Sequence, residues 1–317
     1  MLLNEMLGIK YPILQGAMSL ITDGKFAATV SNAGGLGIIA SGEWDKNRVR
    51  EEIHIARSLT DKPFGVNLYM MSPYVEEIVD LIIEEKIPVV TTGAHSPEKY
   101  IKRFKEAGCK VFPVVASVTM AKRMERFGID GVIAEGMESG GHVGEATTMS
   151  LLPQMVKALK VPVIAAGGIA SGSQMAAALA MGAKGIQIGT ILLASEECNV
   201  HENYKKAILK AHDNDTTVIL KNTGAPVRVL KNRLARKYLE MEKNNSIDEE
   251  VLKDSFDALF RGIFQGDLEN GSMPLGQIAG LIDEIKPVKE ILDDIIRESV
   301  LAYDSLSDNI NKLKEMK

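Results

Sequence analysis

The sequence predicts an α/β protein built on a (β/α)8 TIM barrel, with a smaller helical cap domain inserted after the eighth strand. Eight short runs rich in β-branched residues recur along the chain, and most of the intervals between them show helical periodicity. The runs cover residues 11–15, 36–40, 64–68, 88–92, 111–115, 131–135, 161–165 and 185–189. Alternating strands and helices form parallel sheets, and eight units in about 200 residues fit a closed barrel better than an open, doubly wound sheet.

The chain after Thr190 shows no further strand pattern, so the sequence predicts helices there. These cover residues 203–211, 229–242, 248–264 and 288 to the C-terminus. We therefore expect a barrel domain at residues 1–200, a helical cap at 201–270, and C-terminal helices at 271–317 that return to the barrel wall.

The composition is that of an ordinary globular protein, with 45% hydrophobic and 25% charged residues among 317. Its apolar runs are far shorter than the ~20 residues that cross a bilayer, and the N-terminus lacks the basic region of a signal peptide. We therefore expect a cytoplasmic protein with no membrane partner. Cys109 and Cys198 are too few and too far apart for a disulfide framework or a cysteine metal site.

The charge distribution gives no reason to expect nucleic acid as a partner, because the formal net charge is -5. One segment departs from this acidic balance. Between residues 221 and 237 the chain carries no Asp or Glu and six cations, Lys221, Arg228, Lys231, Arg233, Arg236 and Lys237. The segment is interpreted either as a solvated helix face or as a docking surface for an anionic partner.

A dinucleotide-binding motif is suggested by the glycines of residues 35–40, which match the pattern G-x-G-x-x-A. That motif requires the glycines to follow a strand and to open a helix. Here they precede the second predicted strand, so a tight turn explains them and a Rossmann site is not predicted.

Glycines also follow the last two predicted strands, where barrels frequently bind phosphate. Gly167 and Gly168 follow the seventh strand, and Gly189 and Thr190 follow the eighth. Glycine suits such a site because its backbone N–H can approach phosphate oxygens without a Cβ in the way. The sequence therefore predicts a phosphate-bearing ligand, without fixing which one.

The carboxyl ends of the other strands should line the same mouth of the barrel. The residues there include Gln15, Gly16, Ala17, Met18, Asn67, Thr92, Gly93, Ala116, Ser117, Glu135 and Gln187. They lack the clustered histidines and carboxylates of a metal site, and they include no activated Ser or Cys nucleophile. Amides, one carboxylate and glycines are what a planar organic cofactor would use, so no metal is expected.

His142 is the candidate catalytic residue, because it lies in a glycine-rich loop directly after the sixth strand. An imidazole with an ordinary pKa of ~6.5 suits proton donation or hydrogen bonding near neutral pH. The alternative is a loop histidine bonded to the backbone. His95 follows the fourth strand and is a weaker candidate, while His54, His201 and His212 are interpreted as surface or packing residues.

These motifs resemble the FMN-dependent enoyl-[acyl-carrier-protein] reductases of the FabK type, within the nitronate monooxygenase (2-nitropropane dioxygenase) family. The likeness extends from residues 11–16 to residues 276–280, and it is strongest at 61–67, 133–144, 161–169 and 201–206. The loop at 140–144 and the turn at 166–168 occur in both branches of the family. Residues 61–67, 213–217 and 226–231 are more similar to the reductase branch.

The resemblance implies a site. FMN would contact Gly16, Ala17, Met18, Asn67, Glu135, Gly167, Gly168, Gly189 and Thr190, and Gln187 at the same mouth completes the predicted cofactor set. His142 would lie beside the flavin. NAD(P)H would reduce the flavin, and a trans-2-enoyl thioester of acyl carrier protein or CoA would accept a hydride at Cβ and a proton at Cα, as in fatty-acid synthesis.

Two alternatives to enoyl reduction are open. One is the oxidation of alkyl nitronates by oxygen, and the other is a phosphate-ligand binder without catalysis. The resemblance also implies a homodimer, and some members respond to monovalent cations. The sequence does not decide between NADH and NADPH.

The chain departs from the family pattern at three places. Ala17 stands where glycine is usual, His95 stands where glycine is commoner, and residues 273–275 read Met-Pro-Leu in place of Val-Met-Ala or similar. The added proline and bulk are expected to reshape the acyl pocket. Chain-length preference therefore does not follow from the resemblance.

Overall fold

The computed structural model describes residues 1–42 and 44–316, and eleven β-strands lie within them. They are β1 (Ile13–Gln15), β2 (Gly37–Ala40), β3 (Phe64–Tyr69), β4 (Val89–Gly93), β5 (Lys110–Val115), β6 (Val132–Glu135), β7 (Gly141–His142), β8 (Val163–Ala166), β9 (Ile186–Ile188), β10 (Thr216–Ile219) and β11 (Val227–Leu230). Eight of them form one parallel sheet in the order β1-β9-β8-β6-β5-β4-β3-β2. A parallel bridge between Leu14 and Leu36 joins β1 to the start of β2. The predicted (β/α)8 barrel is confirmed.

The helices of the same residues alternate with the barrel strands and then continue beyond them. They are α1 (Leu3–Leu7), α2 (Gly24–Ala33), α3 (Lys46–Leu59), α4 (Val75–Glu84), α5 (Glu98–Glu106), α6 (Val118–Glu125), α7 (Thr148–Ala158), α8 (Gly172–Ala180), α9 (Thr190–Leu193), α10 (Glu202–Leu209), α11 (Arg233–Lys243), α12 (Glu249–Phe264) and α13 (Val288–Glu315). Short 3-10 helices cover Lys221–Thr223 and Gln277–Leu281. Among the described residues, no helix combines the length and apolarity that a bilayer span requires.

The barrel interior is filled by side chains that alternate along each strand. Leu14, Ile38, Phe112, Ile133 and Ile164 belong to one buried cluster, which α1 closes from below with two leucines. The intervening residues of the strands pack outward against the helices in a second, larger cluster. Because side chains on a strand alternate between the two faces, the inward positions at the carboxyl ends of the strands form a layer above this apolar core.

The prediction that the chain after Thr190 is helical was wrong for residues 216–219 and 227–230. These residues form β10 and β11, an antiparallel hairpin, and β11 also pairs with β7. The predicted helix at 229–242 therefore begins only at Arg233, after the cap residue Asn232. Thr-Thr-Val-Ile and Val-Arg-Val-Leu flank a turn with Gly224 at φ +79°, which is a hairpin signal.

The region after the barrel has a small core of its own. Ile219, Val229, Leu234 and Tyr238 are among its buried residues. In contrast, Tyr204 of α10 packs into the core of the barrel. We therefore propose that the smaller unit begins after α10, later than residue 201.

Candidate active site

A cavity of about 620 Å³ opens at the carboxyl ends of the barrel strands and extends beneath the hairpin and α12. Every residue of the predicted cofactor set lines it, and so does His142. These residues are Gly16, Ala17, Met18, Asn67, Glu135, His142, Gly167, Gly168, Gln187, Gly189 and Thr190. The structure thus brings the predicted site residues together, while their roles in binding and catalysis stay predictions. Among the described residues there is no group of three His, Cys, Asp or Glu that could hold a metal ion.

Asn67, Glu135 and Gln187 form the polar layer above the apolar interior. Glu135 pairs with Ala166 across β6 and β8, and Ala166 pairs with Gln187 across β8 and β9, so both side chains lie in one row. Asn67 donates a hydrogen bond of 2.9 Å to the hydroxyl of Thr91 on the neighbouring strand, which fixes its amide. The layer offers both donors and acceptors to a flat polar ring.

The turns after β8 and β9 form a cradle of backbone N–H groups. Gly167 and Gly168 have φ of +85° and +72°, and a Cβ on Gly167 would lie 2.7 Å from the carbonyl oxygen of Gly136. Both positions therefore require glycine. Within the described part of the chain, the N–H groups of Gly168 and Gly189 donate to no protein acceptor. Unpaired amides next to a cavity suit the oxygens of a phosphate group.

Side-chain hydrogen bonds hold this cradle in position, including one of 2.8 Å from the Thr148 hydroxyl to the Gly167 carbonyl oxygen. The side-chain amide of Gln174 on α8 donates a hydrogen bond of 2.8 Å to the carbonyl oxygen of Gly168. The hydroxyl of Thr190 accepts a hydrogen bond of 3.1 Å from the N–H of Gly276. The start of α8 is closed by a capping box between Ser171 and Gln174. The cradle is therefore built from the turns themselves, not from the amino end of α8.

His142 lies in the loop after β6 as part of β7, where it pairs with Val227 of β11. Its ring is open to the cavity, and burial by the surrounding protein lowers the pKa of the imidazole, with the Pro226 carbonyl partly opposing this. The neutral ring is therefore favoured near pH 7. A neutral imidazole carries one N–H donor and one acceptor nitrogen.

The loop that carries His142 is held by the hairpin and by residues near 276. The guanidinium of Arg228 donates two hydrogen bonds, one of 3.0 Å to the Met137 carbonyl oxygen and one of 3.1 Å to the Thr216 hydroxyl. The carboxylate of Glu138 accepts a hydrogen bond of 2.9 Å from the N–H of Thr148. Its backbone carbonyl oxygen accepts another of 2.9 Å from the N–H of Gln277. Sequence reasoning treated Arg228 as one of six surface cations, but its side chain is buried.

Replacing Arg228 with Leu should reduce turnover by about tenfold and lower thermal stability. The change leaves the part-buried Met137 carbonyl without its donor, and such a loss costs about 1–3 kcal/mol. The loop at 136–142 then loses its link to β11. Turnover and melting temperature check this, with Arg126→Leu at the exposed end of α6 as the control. Equal behaviour of the two variants would contradict the positioning role.

Glu135 is a carboxyl group of the site whose pKa is strongly raised. Burial raises its pKa from the ordinary 4.5 to about 7, and the nearby Ser139 hydroxyl offsets part of this. Because the native state keeps its proton at pH values where the unfolded chain has lost it, raising the pH from 4.5 to 7 favours unfolding. Ionised Glu135 is thus a destabilising group above neutral pH.

Glu135→Gln should therefore stabilise the FMN-free protein at pH 8.5 and leave it unchanged at pH 4.5. We expect a gain of about 1–2 kcal/mol after allowance for partial solvent exposure. Urea unfolding at the two pH values measures it. A gain of the same size at both values would show that burial of charge is not the cause.

Several residues predicted at the mouth lie elsewhere. Gln15 is buried, and its side-chain oxygen accepts a hydrogen bond of 2.9 Å from the N–H of Ile38. Ser117 is the N-cap residue of α6. His95 is exposed and does not line the cavity. Of the unusual residues 273–275, only Pro274 lines it, since Met273 and Leu275 are core residues.

The walls of the cavity that the sequence did not indicate come mainly from the region after the barrel. They are Ile219, Leu220, Thr223, Ala225, Val227, Tyr238, Phe256, Leu259 and Ile263, with Tyr69 and Met71 from the barrel rim. Most are apolar. The strand pattern of β10 and β11 could have indicated some of them, but which helix faces the mouth is a property of the tertiary fold.

The fold and the site at its mouth define a TIM-barrel enzyme of the oxidoreductase type. The chain belongs to the nitronate monooxygenase family, whose model matches residues 1–80 and 73–298. This is a family of FMN-dependent flavoenzymes.

Curated relatives carry two different names. The chain is 31% identical to the (3aS,4S,5R,7aS)-5-hydroxy-7a-methyl-1-oxo-octahydro-1H-indene-4-carboxyl-CoA dehydrogenase of Rhodococcus jostii (strain RHA1), over 96% of this chain and 97% of the relative. It is 36% identical to a probable nitronate monooxygenase of Staphylococcus saprophyticus, over 78% of this chain and 81% of that protein.

Two solved structures are similar over nearly their whole length. FabK from Thermotoga maritima matches with a TM-score of 0.94 and 49% identity, over 97% of this chain and 98% of that chain. A nitroalkane oxidase from Streptomyces ansochromogenes matches with a TM-score of 0.85 and 27% identity, over 96% and 99%.

Proposed function

We propose that this protein is an FMN-dependent reductase of trans-2-enoyl thioesters that uses NAD(P)H and serves fatty-acid synthesis. The observation that carries the proposal is the arrangement of the cavity. A cradle of free amides lies at one side, His142 lies above the barrel mouth, and an apolar chamber extends beneath α12. The 49% identity to FabK supports the reductase branch of the family.

The residues present fit FMN. Gly168 and Gly189 would bind its phosphate through their N–H groups, and Asn67, Glu135 and Gln187 would meet the polar edge of the ring. When bound, FMN supplies hydride transfer, taking the hydride from NAD(P)H and delivering it to the substrate. The protein provides position and excludes water.

His142 would act on the carbonyl end of the thioester. Reduction of the double bond places negative charge on the thioester oxygen, and a hydrogen-bond donor aimed at that oxygen stabilises it. The neutral ring favoured by the lowered pKa still carries an N–H for this purpose. Proton delivery to Cα is the other role within reach of the same ring.

The acyl group would occupy the apolar chamber. Ile219, Leu220, Val227, Phe256 and Leu259 supply aliphatic and aromatic surface there. Burial of methylene groups against such surface stabilises binding by about 0.8 kcal/mol each. A fatty acyl chain therefore fits this part of the cavity.

The carrier of the acyl group would meet the exposed cations after the barrel. Lys221, Lys231, Arg233, Arg236 and Lys237 are exposed, and none forms an ion pair with a described residue. Unpaired cations in an otherwise acidic protein attract anionic partners. Acyl carrier protein and the phosphates of CoA are both anionic, so either would be drawn to this surface.

Reversing three of these charges should weaken the use of the carried substrate. In the variant R233E/R236E/K237E, we expect KM for an enoyl thioester of acyl carrier protein to rise about tenfold. KM for a short thioester without phosphate should be unchanged. Lys122→Glu, an exposed cation on α6, is the control. An equal effect on both substrates would argue against a docking surface.

The experiment that tests the function is NAD(P)H oxidation under anaerobic conditions. Without a thioester, we expect the FMN-loaded enzyme to oxidise no more than one equivalent of NAD(P)H per flavin. Oxidation should continue only after a trans-2-enoyl thioester is added, with one saturated thioester formed per NAD(P)H. Continued oxidation without the thioester, or none beyond the flavin equivalent with it, would contradict reductase activity.

Nitronate oxidation is the second candidate, favoured by the family match and the Staphylococcus relative. This activity needs no NAD(P)H and no carrier surface. Oxygen uptake with an alkyl nitronate alone, at a rate above that of enoyl reduction, would favour it over the reductase.

The cellular location and the oligomeric state are also matters of proposal. NAD(P)H and acyl thioesters are metabolites of the cell interior, so we propose a cytoplasmic enzyme. We also propose a homodimer whose activity responds to a monovalent cation, as the family resemblance implies.

A further inference from the structure

Thr148, the first residue of α7, contacts the phosphate cradle and the loop of His142 at the same time. Its hydroxyl donates a hydrogen bond of 2.8 Å to the carbonyl oxygen of Gly167. Its backbone N–H donates to both carboxylate oxygens of Glu138, at 2.9 and 3.0 Å. The residue is buried and does not line the cavity. Thr148 therefore holds the cradle with one donor and the loop with the other.

The Thr148 hydroxyl has a single hydrogen and several acceptors around it. The Gly167 oxygen is the nearest, while a Glu138 carboxylate oxygen and the Ala166 carbonyl oxygen lie at 3.1 and 3.3 Å. The Ala166 oxygen already accepts from the N–H of Gly136, and the carboxylate already accepts from the Thr148 N–H. Within the described chain, the Gly167 oxygen has no other donor. The hydroxyl hydrogen is therefore assigned to Gly167.

The carbonyl of Gly167 and the N–H of Gly168 belong to one peptide group. That N–H is one of the free amides of the cradle. A hydrogen bond to the oxygen of a peptide group polarises the group and strengthens its N–H as a donor, because hydrogen bonds in a chain reinforce one another. Thr148 thus acts on a phosphate at the cradle through this peptide and not by direct contact.

The loop of His142 is packed against the same peptide. Gly136, at the start of the loop, lies between the cradle and α7. A Cβ on Gly136 would overlap the Thr148 hydroxyl, and a Cβ on Gly167 would lie 2.7 Å from the Gly136 carbonyl oxygen. Glu138 follows two residues later and His142 four residues after that. The cradle, Thr148 and the loop therefore form one packed unit.

On the basis of the proposed function, in which the cradle binds the phosphate of FMN, we propose that Thr148 is a positioning residue that couples phosphate binding to the placement of the His142 loop. A phosphate accepting from the Gly168 N–H strengthens the bond between Thr148 and Gly167. Thr148 is then fixed, and its N–H fixes Glu138 and the loop. Such coupling is reciprocal, so a loop released from Thr148 weakens phosphate binding by the same factor.

Binding of FMN and of riboflavin, which has the same ring without the phosphate, tests the action on the cradle. We expect Thr148→Val, which removes the hydroxyl at nearly constant volume, to raise the dissociation constant of FMN about tenfold and to leave that of riboflavin unchanged. Thr148→Ser keeps the hydroxyl and should bind FMN as the wild type does. Flavin fluorescence titration measures all of these constants.

Three outcomes of this titration would overturn the proposal. They are wild-type FMN affinity in Thr148→Val, an equal loss for both flavins, and a loss in Thr148→Ser as large as that in Thr148→Val. Equal affinity of the wild type for the two flavins would refute the phosphate cradle itself, and the role of Thr148 with it. None of these results depends on which substrate the enzyme reduces.

Hydrogen exchange at residues 137–142 tests the coupling to the loop. In the wild type, exchange there should be about tenfold slower with saturating FMN than with saturating riboflavin, by the reciprocity of coupling. The difference should vanish in Thr148→Val and in Glu138→Ala, and each variant reports independently. Glu145→Ala, at an exposed acid of the same loop, should keep it. No difference in the wild type, or one that both variants retain, would overturn the proposal.

Discussion

Replacing His142 with alanine is expected to lower turnover with an enoyl thioester by about 10²- to 10⁴-fold and to leave FMN bound. The ring lies above the barrel mouth, on a loop held by β11, and it does not belong to the phosphate cradle. Loss of a positioned donor or acid has an effect of this size. Turnover and flavin content of the purified variant are the two measurements.

His95→Ala is the matched control for this prediction. His95 also follows a barrel strand, but it is exposed and lies outside the cavity wall. It should retain wild-type turnover. If His142→Ala turned over normally as well, the histidine would have no part in the reaction.

The pH dependence of turnover separates the two roles of His142. Proton donation requires the protonated ring, so turnover would fall as the pH rises through the lowered pKa. Hydrogen-bond donation by the neutral ring would show no such loss. We expect the second behaviour, so wild type and His142→Ala should have pH profiles of the same shape. A fall in wild-type turnover with rising pH that His142→Ala lacks would instead show proton donation.

Replacing Gly189 with valine is expected to weaken FMN binding by about 10²-fold or more. A Cβ at Gly189 would meet only the sulfur of Met18, at 3.9 Å, so the protein itself has room for a side chain. The isopropyl group would instead occupy the space in front of the free N–H. Phosphate oxygens need that close approach.

Gly93→Val is the control for the cradle. Gly93 lines the same cavity from β4, across the barrel from β9, and a Cβ there meets no atom within 4 Å. It should bind FMN much more tightly than Gly189→Val. Flavin fluorescence titration measures both dissociation constants, and equal affinities would place the phosphate away from the turns after β8 and β9.

The barrel and the residues at its mouth could be predicted because both depend on local patterns. Strand periodicity located all eight barrel strands, and side chains at the carboxyl ends of parallel strands must meet at one mouth. Gly167 and Gly189 followed from that geometry. Placement in the mouth did not guarantee exposure to the cavity, since Gln15 uses its amide to hold the neighbouring strand.

The second sheet and the roof of the cavity could not be predicted in the same way. β7 is only two residues long, and it becomes a strand because β11 lies beside it. The buried Arg228 was interpreted as a surface cation because charge alone does not show which way a side chain faces. The apolar chamber likewise depends on how α11 and α12 pack over the barrel.

A single anaerobic turnover is the most direct test of enoyl reduction by this protein. The FMN-loaded enzyme is reduced with one equivalent of NAD(P)H and then mixed with either an enoyl thioester or an alkyl nitronate. We predict that the oxidised flavin spectrum returns with the enoyl thioester, with one saturated thioester formed per enzyme, and does not return with the nitronate. A spectrum that stays reduced with every enoyl thioester would contradict enoyl reduction by this protein.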